Sequence, residues 1–208
     1  MERCVKERYE GDSRSLVNNC DSFLYIYNSP QFIMHPHLQK LFDTIEKQKQ
    51  DLLRQIESHS SAQLQQSPPG KWSLGQVYAH LIASEQLSVQ YLRKKYLGIE
   101  TQPPTGIIEE LKMLILVISQ RLPFKFKAPK VVTDHTASFK SQEEIAQAWN
   151  QTRQELKEVL DGFQDHHLSK KVYKHPVAGK LNIQQALRFF REHLIHHTPQ
   201  IKKLLKQK

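Results

Sequence analysis

Two histidines four residues apart, His193 and His197, lie in the stretch LNIQQALRFFREHLIHHTPQI that runs from Leu181 to Ile201. At helical period, Ala186, Phe190, His193, His197, Ile201 and Leu204 share one face. That stripe turns from aromatic to imidazole along its length. Imidazoles at i and i+4 can bring two ring nitrogens to one divalent metal ion. The plainer reading is a pair of hydrogen-bonded polar residues facing a cleft, because a buried ring needs polar partners in either case. His196 lies off the stripe and is expected to face solvent or a neighbouring helix.

A catalytic site of the zinc type uses three protein ligands and keeps one position open. The third ligand must then come from another helix. His80 is the candidate, because it sits mid-helix in a core-forming segment and shares a side with Val77, Ser84 and Tyr91. His59, His135, His166, His167 and His175 fall in expected loops or helix ends and rank lower. His35 and His37 flank the start of the first helix and are expected at the surface. Missing residues exclude several chemistries. The run His193-Leu-Ile-His196-His197 lacks the glutamate of His-Glu-x-x-His proteases. Paired Glu-x-x-His motifs of di-iron bundles are absent, as are a Gly-rich phosphate loop and a Gly-x-Ser-x-Gly elbow. The only cysteines, Cys4 and Cys20, form no Cys-x-x-Cys.

The elements that must position these rings are helices. The first is expected from about His37 to Glu57, on the stripe Leu38, Leu41, Ile45, Leu52 and Ile56. A loop over Ser58–Lys71 follows, broken by Ser67-Pro-Pro-Gly70. The second helix starts at Ser73, which forms a capping box with Gln76, and Trp72 supplies the staple. It runs to about Leu97, with Gly98 as its C-terminal cap. A shorter helix is expected over Ile107–Leu122, stopped by Pro123, and Phe124–Thr133 reads as irregular. Ser141 and Glu144 open the third main helix, which ends near Gly162. A loop carrying His175-Pro176 and Gly179 leads to the fourth, capped by Asn182 with Gln185. The expected fold class is all-α, a four-helix bundle with an extra short helix between helices 2 and 3.

A chain of 208 residues with 38 % hydrophobic content and seven glycines suits one helical domain. Residues 1–33 mix charge, Asn, Ser and Tyr without a period. They read as a poorly ordered N-terminal extension, or as sequence ahead of a true start at Met34, with the bundle domain over residues 34–208. No run reaches the ~18 apolar residues of a membrane span, and no secretory signal is evident. The expected compartment is cytoplasmic. The net charge of +9, from 30 basic and 21 acidic residues, is scattered. It reads as a solvated basic surface and not as a nucleic-acid footprint.

Two motifs together resemble a known family. Trp72-Ser-Leu-Gly-Gln-Val-Tyr-Ala-His80-Leu-Ile-Ala-Ser-Glu85 resembles the second-helix signature of the DinB-like (YfiT-type) metal-binding bundles. His175-Pro-Val-Ala-Gly179-Lys-Leu181, followed by His193-x-x-x-His197-x-x-Gln200, resembles their fourth-helix signature. The resemblance covers about residues 36–206. It implies a four-helix bundle, often a homodimer, holding zinc or nickel on three histidines that map to His80, His193 and His197. It also implies a metal-dependent hydrolase acting on a small molecule, or an S-transferase or isomerase using a low-molecular-weight thiol. A non-catalytic metal- or ligand-binding bundle is the third reading. Gln200 and Glu85 are candidates for support of the ligands, and proton transfer is expected to fall to a metal-bound hydroxide or to Glu85. Trp72 is expected to anchor packing. Metal loss is expected on acidification through roughly pH 6, where ordinary imidazoles protonate.

Overall fold

The computed structural model describes residues 33–122 and 129–206. The extension expected over residues 1–33 lies outside the described residues apart from Ile33. So do Cys4, Cys20 and residues 124–128 of the irregular stretch expected over 124–133. Among the described residues the chain runs α1 (Pro36–Arg54), α2 (Ser61–Gln65), α3 (Leu74–Tyr96), α4 (Ile107–Arg121), α5 (Lys130–Asp134) and α6 (Gln142–Asp161). A hairpin of β1 (Tyr173–His175) and β2 (Gly179–Leu181) then leads into α7 (Ile183–Leu205). This is an all-α bundle built on α1, α3, α6 and α7.

The helix starts follow the sequence signals. Ser73 and Gln76 exchange both bonds of a capping box, and Asn182 and Gln185 do the same. At α6 the box is half made. Ser141 Oγ accepts from the Glu144 amide, but the Glu144 carboxylate accepts from the Lys140 amide instead of closing on Ser141. Pro36 opens α1 at a position where its missing N–H costs nothing. Gly98 follows the end of α3 with φ −123°, so it is not a left-handed cap, and the chain continues into a 3₁₀ turn. Pro199 lies inside α7 without ending it.

Two apolar clusters fill the bundle. The first joins the start of α1 (Leu38, Phe42), the end of α3 (Leu92), the end of α6 (Leu160) and the start of α7 (Ile183, Phe190). The second joins the end of α1 (Leu52), the start of α3 (Leu74, Val77), the start of α6 (Ile145, Trp149) and the latter half of α7 (Leu194, Ile201). Helices α1 and α7 therefore point one way, and α3 and α6 the other. Because α3 and α6 are consecutive main helices pointing the same way, the chain must travel back along the bundle between them. Helix α4 lies in that connection, packing Met113 and Leu116 into the first cluster.

Three short elements occupy stretches expected to be irregular. Helix α2 carries its own capping box, Ser60 with Gln63, and buries Leu64. Helix α5 buries Val132. The hairpin pairs Tyr173 with Leu181 and His175 with Gly179. Its turn has a clear logic. His175 Nδ1 accepts from the amides of Val177 and Ala178, both at 3.1 Å, and Gly179 takes φ +78°, which side chains disfavour.

Candidate metal centre

Helix α3 presents His80 and helix α7 presents His193 and His197 to one point. One ligand-type atom from each of the three rings lies within 4.8 Å of the others. The ring centroids are 5.3 Å apart for His80–His193, 5.0 Å for His80–His197 and 4.9 Å for His193–His197. Trp72 lies 5.1 Å from the His80 ring, and Phe189 stacks on His193 at 5.5 Å and 15°. The aromatic-to-imidazole turn of the α7 stripe is thus a change of packing partner, from the first apolar cluster to a polar point midway along the bundle.

Burial keeps these rings neutral. His80 is 5 % exposed and His197 9 %, and desolvation lowers each pKa to about 4. His193 is partly exposed, yet desolvation, followed by the charges of His197, His80, His196 and His175, holds it well below the usual imidazole range. A neutral imidazole offers a lone pair on one nitrogen. The other nitrogen decides which one. His197 Nδ1 donates to Gln200 Oε1 at 2.9 Å, leaving Nε2 with its lone pair. This is the orienting bond that ligating histidines commonly make, and it gives Gln200 the supporting position expected for it. His80 Nδ1 is enclosed and has no hydrogen-bond partner among the described residues.

A second group, Glu100 with His166 and His167, has the right residue types but the wrong tautomer. His167 Nδ1 accepts from the Gln164 amide at 3.1 Å, so the ring proton sits on Nε2, which donates to Glu100 at 2.8 Å. Coordination through that Nε2 would put a proton on Nδ1, facing another N–H. Hydrogen bonding therefore separates a group that fits a cation from one that does not.

The sequence profile of the DinB superfamily matches residues 44–201. The chain belongs to that superfamily. No curated protein and no solved structure gives a significant match. The matched span contains α3, α7 as far as Ile201 and all three histidines of this DinB superfamily member, as well as Trp72, Glu85 and Gln200.

Glu85 is not part of the three-histidine group. It is 3 % exposed and faces α6, where Trp149 Nε1 donates to one oxygen at 2.8 Å and Arg153 to the other at 2.7 Å. Burial pushes its carboxyl up, against the pull of Arg153 and Trp149. Arg153 also lies 3.6 Å from Glu46, and Lys49 bonds Glu46 at 2.7 Å and Asn150 at 2.8 Å. A layer of charge thus crosses the bundle between the two apolar clusters. Trp72 combines packing against the second cluster with a place beside His80.

Sequence spacing missed two features around the site, at His175 and Glu192. His175, ranked low as a loop residue, packs on Phe189 at 4.4 Å, and burial lowers its pKa to about 4. Glu192, next to His193, is gripped by Arg121 from α4 at 2.8 and 3.0 Å. His196 Nδ1 donates to the Gln120 carbonyl at 2.8 Å, which gives it the neighbouring helix expected of it. Only His175 carried a signal in the chain, because His-Pro followed by Gly marks a tight turn. No helix among the described residues is long and apolar enough to cross a membrane.

Proposed function

We propose that His80, His193 and His197 hold one divalent metal ion, zinc or nickel, and that the protein is a metal-dependent hydrolase acting on a small molecule. The carrying observation is the convergence of three neutral imidazoles from two helices, with the tautomer of His197 set by Gln200. Metal–imidazole bonds are about 2.0–2.1 Å, so nitrogens that share an ion lie roughly 3–4 Å apart, and nitrogens now within 4.8 Å of one another need draw in by roughly 1–2 Å at most. The enclosed, unpaired Nδ1 of His80 supports the reading, since a buried ring nitrogen without a partner needs an explanation and a shared cation supplies one.

When bound, the ion supplies Lewis acidity, polarising a carbonyl or lowering the pKa of a water or thiol. The chain's own residues do the rest. Gln200 fixes the His197 ring. Phe189 and Trp72 wall the site with aromatic surface, which favours a ligand with an apolar part. The group contains no carboxylate, so three neutral ligands leave the full charge of the ion for the substrate. Glu85, held between Trp149 and Arg153, acts in this reading by positioning α3 against α6, and proton transfer falls to groups beside the imidazoles.

The test is metal analysis of the purified protein beside a His193→Ala variant, followed by turnover of ester and amide substrates with and without added thiol. Near-stoichiometric metal in the parent, its loss in the variant and thiol-independent turnover are expected. Equal metal in both proteins sinks the site. Turnover only with thiol replaces the hydrolase by an S-transferase, and bound metal without turnover leaves a non-catalytic binding bundle.

A further inference from the structure

The hairpin ahead of α7 delivers one more imidazole toward the metal group. Along β1 the side chains of Tyr173 and His175 are buried and Lys174 is exposed. Ser88 donates to the Ser84 carbonyl at 2.7 Å, so the Tyr173 hydroxyl, 2.9 Å away, donates to Ser88 Oγ. That bond mounts β1 on α3, the helix that carries His80. His175 packs edge-on against Phe189 at 4.4 Å, and Phe189 stacks on His193 at 5.5 Å. The rings of His175 and His193 therefore lie within about 10 Å of each other, with Phe189 beside both. His175 is also among the charges that act on His193.

The backbone settles which nitrogen of His175 carries the proton. Nδ1 accepts from the amides of Val177 and Ala178, both at 3.1 Å. A ring nitrogen that accepts carries no hydrogen, so the proton is on Nε2. Burial holds the ring neutral, with its pKa lowered to about 4. Among the described residues Nε2 has no hydrogen-bond partner. Coordination through Nε2 would move the proton to Nδ1, against two amide N–H groups, so His175 is not a fourth ligand. With no free lone pair it is not a base either. What remains to it is donation. A donor on a ring only 6 % exposed needs an acceptor.

We infer that His175 Nε2–H donates to an oxygen of the small molecule held at His80, His193 and His197. The inference rests on the proposed metal site and narrows its substrate class. The substrate has one oxygen to bind the ion, an apolar stretch to lie along Phe189, and a carbonyl or carboxylate oxygen beyond it. The donor is fixed before the substrate arrives, because the turn amides hold the ring and Phe189 packs against it. A ligand with a methyl group in place of the second oxygen leaves the N–H unpaired. Sites built to hydrogen-bond a ligand reject such analogues. His175 binds and orients in this role, and no proton leaves it.

The probes are succinic, glutaric and adipic monohydroxamic acids, each beside its methyl-ended counterpart, butyro-, valero- and hexanohydroxamic acid. The hydroxamate binds the ion, and the series of chain lengths spans the gap to His175. Calorimetry gives the dissociation constants for the zinc-loaded full chain and for its His175→Asn variant. The asparagine oxygen keeps the turn bonds, and no N–H stands where Nε2 was. Elemental analysis gives the metal content of both proteins, and nitrogen NMR of the labelled parent gives the His175 tautomer. The expected tautomer is Nε2–H, with equal metal in parent and variant. For at least one chain length the parent should prefer carboxylate over methyl by about tenfold or more, falling to about twofold or less in the variant. The tautomer and the preference are read on the parent, so they stand whether or not the variant folds. A zinc-bound parent with no such preference overturns the inference and leaves the metal site standing. A preference that the variant keeps, or a proton on Nδ1, does the same. A parent that binds no zinc removes the metal site itself, and this inference with it.

Discussion

Acidification of the metal-free protein tests the electrostatic picture of the bundle interior most directly. His80, His197 and His175 are buried and titrate at about 4, against 6.5 for an ordinary histidine. Above pH 6.5 both folded and unfolded chains leave these rings neutral, and stability does not depend on them. Between 6.5 and 4 the unfolded chain takes up protons that the folded chain refuses, so stability falls as pH falls. Each ring contributes a slope of about 1.4 kcal/mol per pH unit once its unfolded form is protonated, and about 3 kcal/mol by pH 4. Three rings together approach 10 kcal/mol, less whatever the mutual influence of His80 and His197 removes. That is on the order of the whole stability of a domain, about 5–15 kcal/mol. The metal-stripped protein should therefore unfold cooperatively between pH 6 and 4. The assay is urea unfolding followed by circular dichroism at half-unit steps of pH, with chelator present. His175→Asn is the informative variant, because an asparagine oxygen can accept from the turn amides without titrating. It should remove about a quarter of the slope between pH 5.5 and 4.5, because His193, also held well below the usual range, shares it with the other three rings. A stability that stays flat from pH 6.5 to 4.5 would refute the reasoning, and so would an unchanged slope in the variant.

The same neutral rings move the expected loss of metal. Protons compete with a cation only when the imidazoles can take them, so titration with a metal indicator should show retention at pH 6 and release nearer pH 4–5. Gln200→Leu removes the acceptor that orients His197 and should weaken metal affinity about 10- to 100-fold, read by competition with a chelator, while the fold survives. Arg153→Met leaves Glu85 buried without its cation, and Glu85→Leu leaves buried Arg153 with only the longer 3.6 Å contact to Glu46, so each should cost about 3–5 kcal/mol. The double variant should recover much of that loss in urea melts, and a strictly additive double would contradict the pairing. At Gly162 an added Cβ would stand 2.5 Å from the Tyr96 hydroxyl, which donates to the Gly162 carbonyl. Gly162→Ala should lower stability by about 1–3 kcal/mol, and Tyr96→Phe in the same chain should relieve part of the clash.

What could be read from the sequence was whatever local chemistry controls. Ser73, Ser141 and Asn182 mark helix starts because their side chains cap amides three residues on, a contact that needs no tertiary partner. The i, i+4 spacing of His193 and His197 places both on one face by helix geometry alone. His80 had no such spacing partner and could be selected only as a mid-helix histidine in a core-forming segment and by the family resemblance. The contacts that depend on tertiary placement were not legible. Nothing in the sequence near Glu85 says that Trp149 and Arg153, more than sixty residues on, will take both of its oxygens. The apolar pattern of Ile107–Leu122 indicates a helix but not that seven of its large aliphatic residues remain outside. His166 and His167 show the limit from the other side. They look like ligands by type and are excluded only by the Gln164 amide that fixes the tautomer.

The direction of the helices links these observations. With α3 and α6 pointing the same way, the bundle cannot be closed by short turns alone, and the connection through α4 is a topological necessity. A helix added outside four packed ones has only one side to bury. It must leave its other side polar or find a further partner. In this chain the outer side is aliphatic, and the charges that would make it polar are spent on α7, at Glu192 and Arg188. Those pairs lie in the α7 turns just ahead of His193, so the residues that hold α4 in place also steady the helix bearing two of the three imidazoles. Loosening α4, by Arg121→Ala for example, should therefore disturb the metal group without touching it, and metal affinity in that variant is a sharper readout than thermal stability. An affinity that equals the parent's would mean that α7 is set by the core alone and that α4 is a passenger on it.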